Sequence, residues 1–184
     1  MRCRGSAPRA GEALTRRSPL EGFDISPDAF SICGPKETAA VKFFHDDLLA
    51  TDKHFDLALG IDVFEHVEDY LDFLRRLRAK ATYKVFHVPL ELSMLMLARS
   101  SSLLAMRQSV GHLHHFSKET ALASLADTGY RVIDYCYTPV LDAGLYELDW
   151  KARMLGIPRR VLARVAPDAS ARIFGGYSLL VLAE

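Results

Sequence analysis

The sequence is short of cysteine, has no long apolar run, and favours neither sign of charge. Cys3, Cys33 and Cys136 are odd in number, stand far apart and form no CxxC pair. That excludes a disulfide framework and fits a reducing, cytoplasmic setting. The longest nearly apolar run, Leu92 to Ala98, is seven residues long, whereas a bilayer span needs about 20. No membrane span is therefore expected. No apolar stretch follows the early arginines, so a secretory signal is not expected either. Lysine and arginine number 23, and so do aspartate and glutamate. A protein that binds nucleic acid by neutralising phosphates needs a basic excess, so no nucleic-acid partner is expected. What is present is ordinary globular material. Of 184 residues, 49% are hydrophobic, enough for one domain with a core and too many for a disordered chain.

Residues 1–19 differ from the rest. They are rich in Arg, Gly, Ala, Ser and Pro and hold no run of Val, Ile or Phe. An irregular segment with at most a short helix near Gly11–Arg17 is expected there. From residue 20 to 184 strands alternate with helices. Strands are expected near 20–25, 41–45, 55–61, 83–88, 131–137 and 177–183. The run FDLALGI (55–61) reads as a buried strand, and Pro89 should end the 83–88 strand. Ser26 and Pro27 open one helix, and Leu71, Leu74 and Leu77 mark the apolar face of another. Ser117 caps a third, which ends at Gly129. Residues 92–107 are a helical stretch broken at Ser100–Ser102, and Pro158 opens a short helix to Val165. This alternation predicts an α/β fold with a mainly parallel sheet.

Ligands of such sheets bind beyond the carboxyl ends of the strands. Three successive strands end in carboxylates: Asp24, then Asp46 and Asp47, then Asp62. Each alone could cap a turn. Three in register point to a nucleotide-like ligand, because a carboxylate accepts two hydrogen bonds from a ribose diol or one from an exocyclic amine. The three should cluster on one sheet edge.

The segments GFDISPDAF (22–30), FFHDDLL (43–49), FDLALGIDVFEHVEDYLDFLRRL (55–77) and GHLHHFSKETALASLADTGYRVID (111–134) resemble class I S-adenosylmethionine-dependent methyltransferases of the methyltransferase type 11/12 kind. The resemblance covers about residues 20–184. It implies a Rossmann-like, mainly parallel sheet whose last strand is antiparallel. It implies S-adenosyl-L-methionine as the methyl donor and a small-molecule acceptor. Asp24, with Ile25 beside it, matches the position that holds the ribose hydroxyls. Asp47, with Asp46 as alternate, matches the position at the adenine amine, and Leu48 would lie on the adenine face. Asp62 matches a position near the methionine moiety. No metal is implied.

The family's first, central strand and its GxGxG loop should precede Gly22. Only Ala10-Gly11-Glu12 is similar to the end of that loop, which makes Gly11 the remaining glycine candidate at the cofactor. Residues 1–9 (MRCRGSAPR) do not read as a buried strand. The glycine-rich motif is therefore expected to be missing or degenerate, and the central strand absent. Strands 20–25 and 55–61 should then pair directly, and the chain should bind the cofactor poorly or not at all.

His112, His114 and His115 lie together, but no second Cys/His cluster stands near them in sequence, so a metal is not expected. In the resembled family the segment from the fifth strand to the next helix lies over the acceptor. His114 there, or His66 after Asp62, is a candidate general base. His87 reads as a core residue. Two further readings compete with an active enzyme. One is a non-catalytic remnant of the fold that acts as an interaction module. The other, a nicotinamide-dependent dehydrogenase, ranks last because no Tyr-x-x-x-Lys proton donor is visible.

Overall fold

The computed structural model describes residues 19–99, 101–139 and 150–184. Gly11, the 1–18 segment and the Trp150 side chain lie outside the described residues. The chain divides into two compact units. The described residues of the first are 19–55, and the second is Asp56–Glu184.

In the first unit, β1 (Leu20–Phe23) pairs in parallel with β2 (Val41–Phe44), Leu20 opposite Val41 and Phe23 opposite Phe44. The connection is α1 (Pro27–Cys33). Ser26 caps it, its hydroxyl accepting the Ala29 N–H at 3.3 Å, and Pro27 supplies a pre-set φ at the first helical position. Phe23 stacks on Phe44 at 4.9 Å, with the Phe55 ring edge-on at 6.2 Å. The Lys53 ammonium lies 4.1 Å from the Phe44 ring and pairs with Glu21 at 2.5 Å. These contacts hold the short ladder.

In the second unit the strand order is β3–β4–β6–β5, with β3 at Phe55–Ile61, β4 at Ala81–Leu90, β5 at Val132–Pro139 and β6 at Tyr177–Ala183. α2 (Tyr70–Arg78) connects β3 to β4. The Asp62 N–H reaches the His87 carbonyl at 3.0 Å, so both carboxyl ends lie together, as in a parallel pair. β6 runs antiparallel to both neighbours, as the family resemblance implies. α3 (Met94–Ala98), α4 (Ser102–Val110), α5 (Lys118–Asp127), α6 (Trp150–Val165) and α7 (Pro167–Phe174) complete the unit. Alternate residues of β4, Phe86, Val88 and Leu90, face a core with Phe64, Leu74, Leu125, Leu179 and Val181. The Tyr130 hydroxyl donates to the Leu74 carbonyl at 2.8 Å and ties α2 to the start of β5.

β1 and β3 do not pair: among the described residues β1 pairs with β2 and β3 with β4, in separate sheets. Each strand is held by its own neighbour, β1 through the Phe23–Phe44 stack and β3 through the β4 ladder. β3 is not a buried strand. Leu57, Leu59 and Ile61 share one face by the period of two and are 47%, 62% and 47% exposed. No described element packs fully over that face. Pro89 does not end β4. His87 turns its backbone toward β3, so Pro89, two residues on, turns the same way, past the point where β3 has ended. The missing N–H costs no ladder bond there. Nor does Pro158 open a helix, since α6 passes through it. Arg159 holds that turn: its carbonyl accepts the Ser170 hydroxyl at 3.0 Å and its guanidinium lies over the Tyr177 ring at 5.6 Å.

A polar cluster joins α5, β5 and α7. Lys118 contacts Asp168 at 2.6 Å, the Tyr137 hydroxyl donates to the same oxygen at 2.5 Å, and Arg172 reaches Glu119 at 2.6 Å. The Lys118 hydrogen bond, then that of Tyr137, holds the Asp168 carboxyl below its ordinary 3.8. A carboxylate with a lowered folded pKa adds stability above its unfolded value, and that stability is lost as pH falls through the folded value. Asp168 is half exposed, which limits its share to about 1 kcal/mol or less. Urea unfolding at pH 6 and pH 3 checks this: Asp168→Asn should be less stable at pH 6, and the difference should shrink at pH 3.

Candidate functional site

The first unit places carboxylates at the ends of two adjacent parallel strands. Asp24 follows β1, and its N–H extends the ladder to the Phe44 carbonyl at 3.1 Å. Its Oδ1 accepts the Ser26 N–H at 2.8 Å, an Asx turn that leads into α1. Asp24 and Ile25 are exposed, Ile25 to 73%. Asp46 accepts the Asp47 N–H at 2.8 Å, and Asp47 caps a 3₁₀ turn over Leu48–Ala50 by accepting the Leu49 N–H at 2.8 Å. Leu48 is half-buried in that turn. His45 spans the two strand ends, donating from Nε2 to the Ile25 carbonyl at 3.1 Å. A recess of about 190 Å³ is lined by Gly22, Phe23, Asp24, Ala29, Cys33, Phe43 and Phe44. A Cβ on Gly22 would come within 2.7 Å of the Phe43 ring, so the close approach of β1 to that ring requires glycine.

Asp62 belongs to the second unit. It has φ 51°, left-handed for a non-glycine residue, a conformation that aspartate tolerates and that gathers at functional sites. Its Oδ1 lies 2.7 Å from His87 Nδ1, and His87 Nε2 lies 2.9 Å from the Thr138 hydroxyl. His87 is therefore not a packed core residue but the middle of a polar chain across β3, β4 and β5.

A 3₁₀ turn over Phe64–His66 follows Asp62, with Phe64 and Glu65 buried and His66 exposed. The 111–115 segment is strapped to it: the Glu65 carbonyl accepts the Leu113 N–H at 2.8 Å and the His114 N–H at 3.1 Å. His66 Nδ1 donates to the Gly111 carbonyl at 3.2 Å, and Gly111 holds its turn at φ 78°. His114 Nε2 donates to the Glu68 carbonyl at 3.0 Å, its ring 4.7 Å from that of Tyr70. His112 and His115 both point Nδ1 at the buried Glu91 carboxylate, His112 at 2.7 Å. Burial, joined by the charges of Asp62 and Glu91, pushes the Glu65 carboxyl up to about 7.

Asp24, Asp46 and Asp47 are thus together, as are His66 and the histidines of 112–115, while Asp24 and Asp62 belong to different units. Sequence reasoning missed Glu65, Glu91 and the role of His87. The signal for Glu65 was present in the spacing Asp62-x-x-Glu65-His66. Glu91 carried none, since only the sheet brings the end of β4 to residues 112–115.

The sequence profile of a methyltransferase domain family matches residues 10–135, more than half of the chain. No curated protein matches the sequence. Among solved structures, the methyltransferase of Haloferax volcanii in complex with the Trm112 methyltransferase activator is similar at TM-score 0.61 and 14% identity, over 90% of this chain and 71% of its own. A SAM-dependent methyltransferase of Archaeoglobus fulgidus is similar at 0.55 and 19%, over 89% and 74%. Magnesium protoporphyrin IX methyltransferase of Synechocystis PCC 6803, solved with bound SAH, is similar at 0.55 and 14%, over 90% of this chain and 63%, less than two thirds, of its own. The mixed sheet with its antiparallel last strand and the family match over residues 10–135 place this chain in the methyltransferase domain family, with the class I S-adenosylmethionine-dependent fold.

Proposed function

We propose that the protein transfers a methyl group from S-adenosylmethionine to a small-molecule acceptor. The observation that carries this reading is that Asp24 and Asp46–Asp47 follow the carboxyl ends of the adjacent parallel strands β1 and β2, in a chain of this family. Asp24 binds the ribose hydroxyls, with Ile25 against the sugar. Asp47, or Asp46, accepts from the adenine amine, and Leu48 packs on the ring. Asp62 faces the methionine moiety, and Gly11, outside the described residues, approaches its carboxylate. The donor set suits the cofactor: carboxylates match a diol and an amine, and no cation beside them is needed to hold a phosphate. The cofactor supplies a methyl carbon on a sulfonium, and the chain's part is to align an acceptor with it.

Of the two base candidates, His66 suits the role better. Its Nδ1 donates to Gly111, so Nε2 keeps a lone pair on an exposed ring. His114 has Nε2 committed to Glu68. No nucleic-acid partner is part of this reading, and the scarcity of cysteine supports a cytoplasmic setting. No helix among the described residues is long and apolar enough to cross a membrane.

Asp24→Ala is expected to weaken binding of the cofactor or its demethylated product by about 1–3 kcal/mol, the scale of hydrogen bonds to a charged group. Calorimetry against Asp24→Asn, which keeps an acceptor for the Ser26 N–H, separates the lost ligand contact from a disturbed turn. Equal affinity in all three chains would refute the ribose assignment.

A further inference from the structure

One polar group in the second unit has no role in the reading above. The Glu65 side chain is completely buried, yet neither carboxylate oxygen has a hydrogen-bond partner. Buried carboxylates are ordinarily paired, hydrogen-bonded or bound to a metal. One donor atom each from Glu65, His66 and His112 lie within 4.8 Å of one another. The surrounding hydrogen bonds decide which imidazole nitrogens are available. His66 Nδ1 faces the Gly111 carbonyl at 3.2 Å, and His112 Nδ1 faces the Glu91 carboxylate at 2.7 Å. A carbonyl and a carboxylate only accept, so both rings carry their proton on Nδ1 and a lone pair on Nε2.

We propose that Glu65, His66 and His112 form a binding site for one divalent first-row transition-metal ion of the zinc type, with Glu91 as the carboxylate that orients His112.

A second grouping, Glu91 with His112 and His115, also has one donor atom each within 4.8 Å of the others. Its atoms already satisfy one another, because each Glu91 oxygen accepts from one histidine. Glu91 therefore acts behind the site, fixing the tautomer and the ring plane of His112, as carboxylates commonly do behind metal-bound histidines. The unsatisfied carboxylate is Glu65, and it is the one that a cation would pair. Two imidazoles and a carboxylate suit zinc, cobalt or ferrous iron, whereas magnesium and calcium favour oxygen ligands alone. The scaffold is held from both sides, since the Glu65 carbonyl accepts the amide protons of Leu113 and His114. Three protein ligands leave a fourth position for water or another oxygen ligand, and the exposed His66 marks the side from which it is reached. The inference uses nothing from the methyl-donor assignment and is tested without the cofactor; a bound ion takes the His66 Nε2 lone pair, so the metal site replaces the general-base role given to His66 above.

The test is titration of the chelator-treated full chain with Co²⁺, read by visible absorption, followed by displacement with Zn²⁺. Wild-type protein should bind one equivalent with ligand-field bands, and Zn²⁺ should raise its melting temperature. Glu65→Gln, His66→Gln and His112→Gln should each lower affinity at least about 100-fold, and Glu91→Gln about 10–100-fold. His54→Gln, at an exposed position in the other unit, should leave binding unchanged. Far-UV circular dichroism reports folding. If Glu65→Gln or His112→Gln fails to fold, the exposed His66→Gln carries the test. Absence of stoichiometric binding by wild type, unchanged affinity in His66→Gln, or loss of the ion in His54→Gln would overturn the proposal.

Discussion

Phe64→Ala is expected to cost about 3–5 kcal/mol of folding stability, the usual range for deleting a buried phenylalanine ring. Phe64 has no exposed surface. Its ring meets Phe116 at 5.1 Å and Phe86 at 6.0 Å, both edge-on, and stacks on Tyr70 at 6.1 Å. These three partners come from two residues before α5, from β4 and from α2, so the ring joins the sheet to the α2 and α5 helices beside the site. No single neighbour can collapse into the space without releasing another. The lost stability is a large part of the 5–15 kcal/mol typical of a domain. The backbone of the next residue holds the 111–115 segment, so the variant should also loosen that strap. Urea unfolding of wild type, Phe64→Leu and Phe64→Ala checks the argument. Leucine should recover more than half of the loss, and a cost under about 1 kcal/mol for alanine would show that the ring is not the packing centre.

Gly175→Ala is expected to destabilise the protein by about 1–3 kcal/mol, the cost of holding a side chain in sparsely populated backbone space. Gly175 follows α7 with φ 66° and ψ −158°, a region open essentially to glycine alone. A Cβ there would also stand 2.7 Å from the Ser93 Oγ and 3.1 Å from its Cβ. Ser93 cannot yield easily: it is buried, and its hydroxyl caps α3 by accepting the Met96 N–H at 3.3 Å. The same position thus fixes the entry to β6 and the start of α3, two residues after Glu91. Thermal unfolding of Gly175→Ala should show the loss. A double variant with Ser93→Gly should recover only the steric part, because the backbone strain remains. Wild-type stability in the single variant would contradict the account.

Much of this fold was legible in residue pattern because its signals are local. Ser26-Pro27, the Ser117–Thr120 capping box and the left-handed Gly129 end or begin helices by chemistry within a few residues. α3 ends at Ala98 and α4 begins at Ser102, so the helical stretch is interrupted next to Ser101, one of the serines that suggested a break. The strand-end aspartates were visible because turns after parallel strands expose them. What was not legible depends on distant partners. Whether Leu57, Leu59 and Ile61 are covered is decided by what packs on an edge strand, and apolar composition does not record that. Pro89 stays in its strand because a neighbouring strand has already ended. Glu91 meets His112 and His115 through sheet and loop geometry. The histidine cluster looked short of ligands in sequence because its carboxylates, Glu65 and Glu91, lie 47 and 21 residues before His112.

If the carboxylates after β1 and β2 hold the adenosine half of S-adenosylmethionine, calorimetric titration of wild type and Asp24→Ala with S-adenosylhomocysteine will register it. Wild type should bind saturably, weaker than micromolar, and Asp24→Ala should bind about 5- to 150-fold more weakly, the equivalent of about 1–3 kcal/mol. Absence of saturable binding by wild type into the millimolar range, or equal affinity in the two chains, would contradict it.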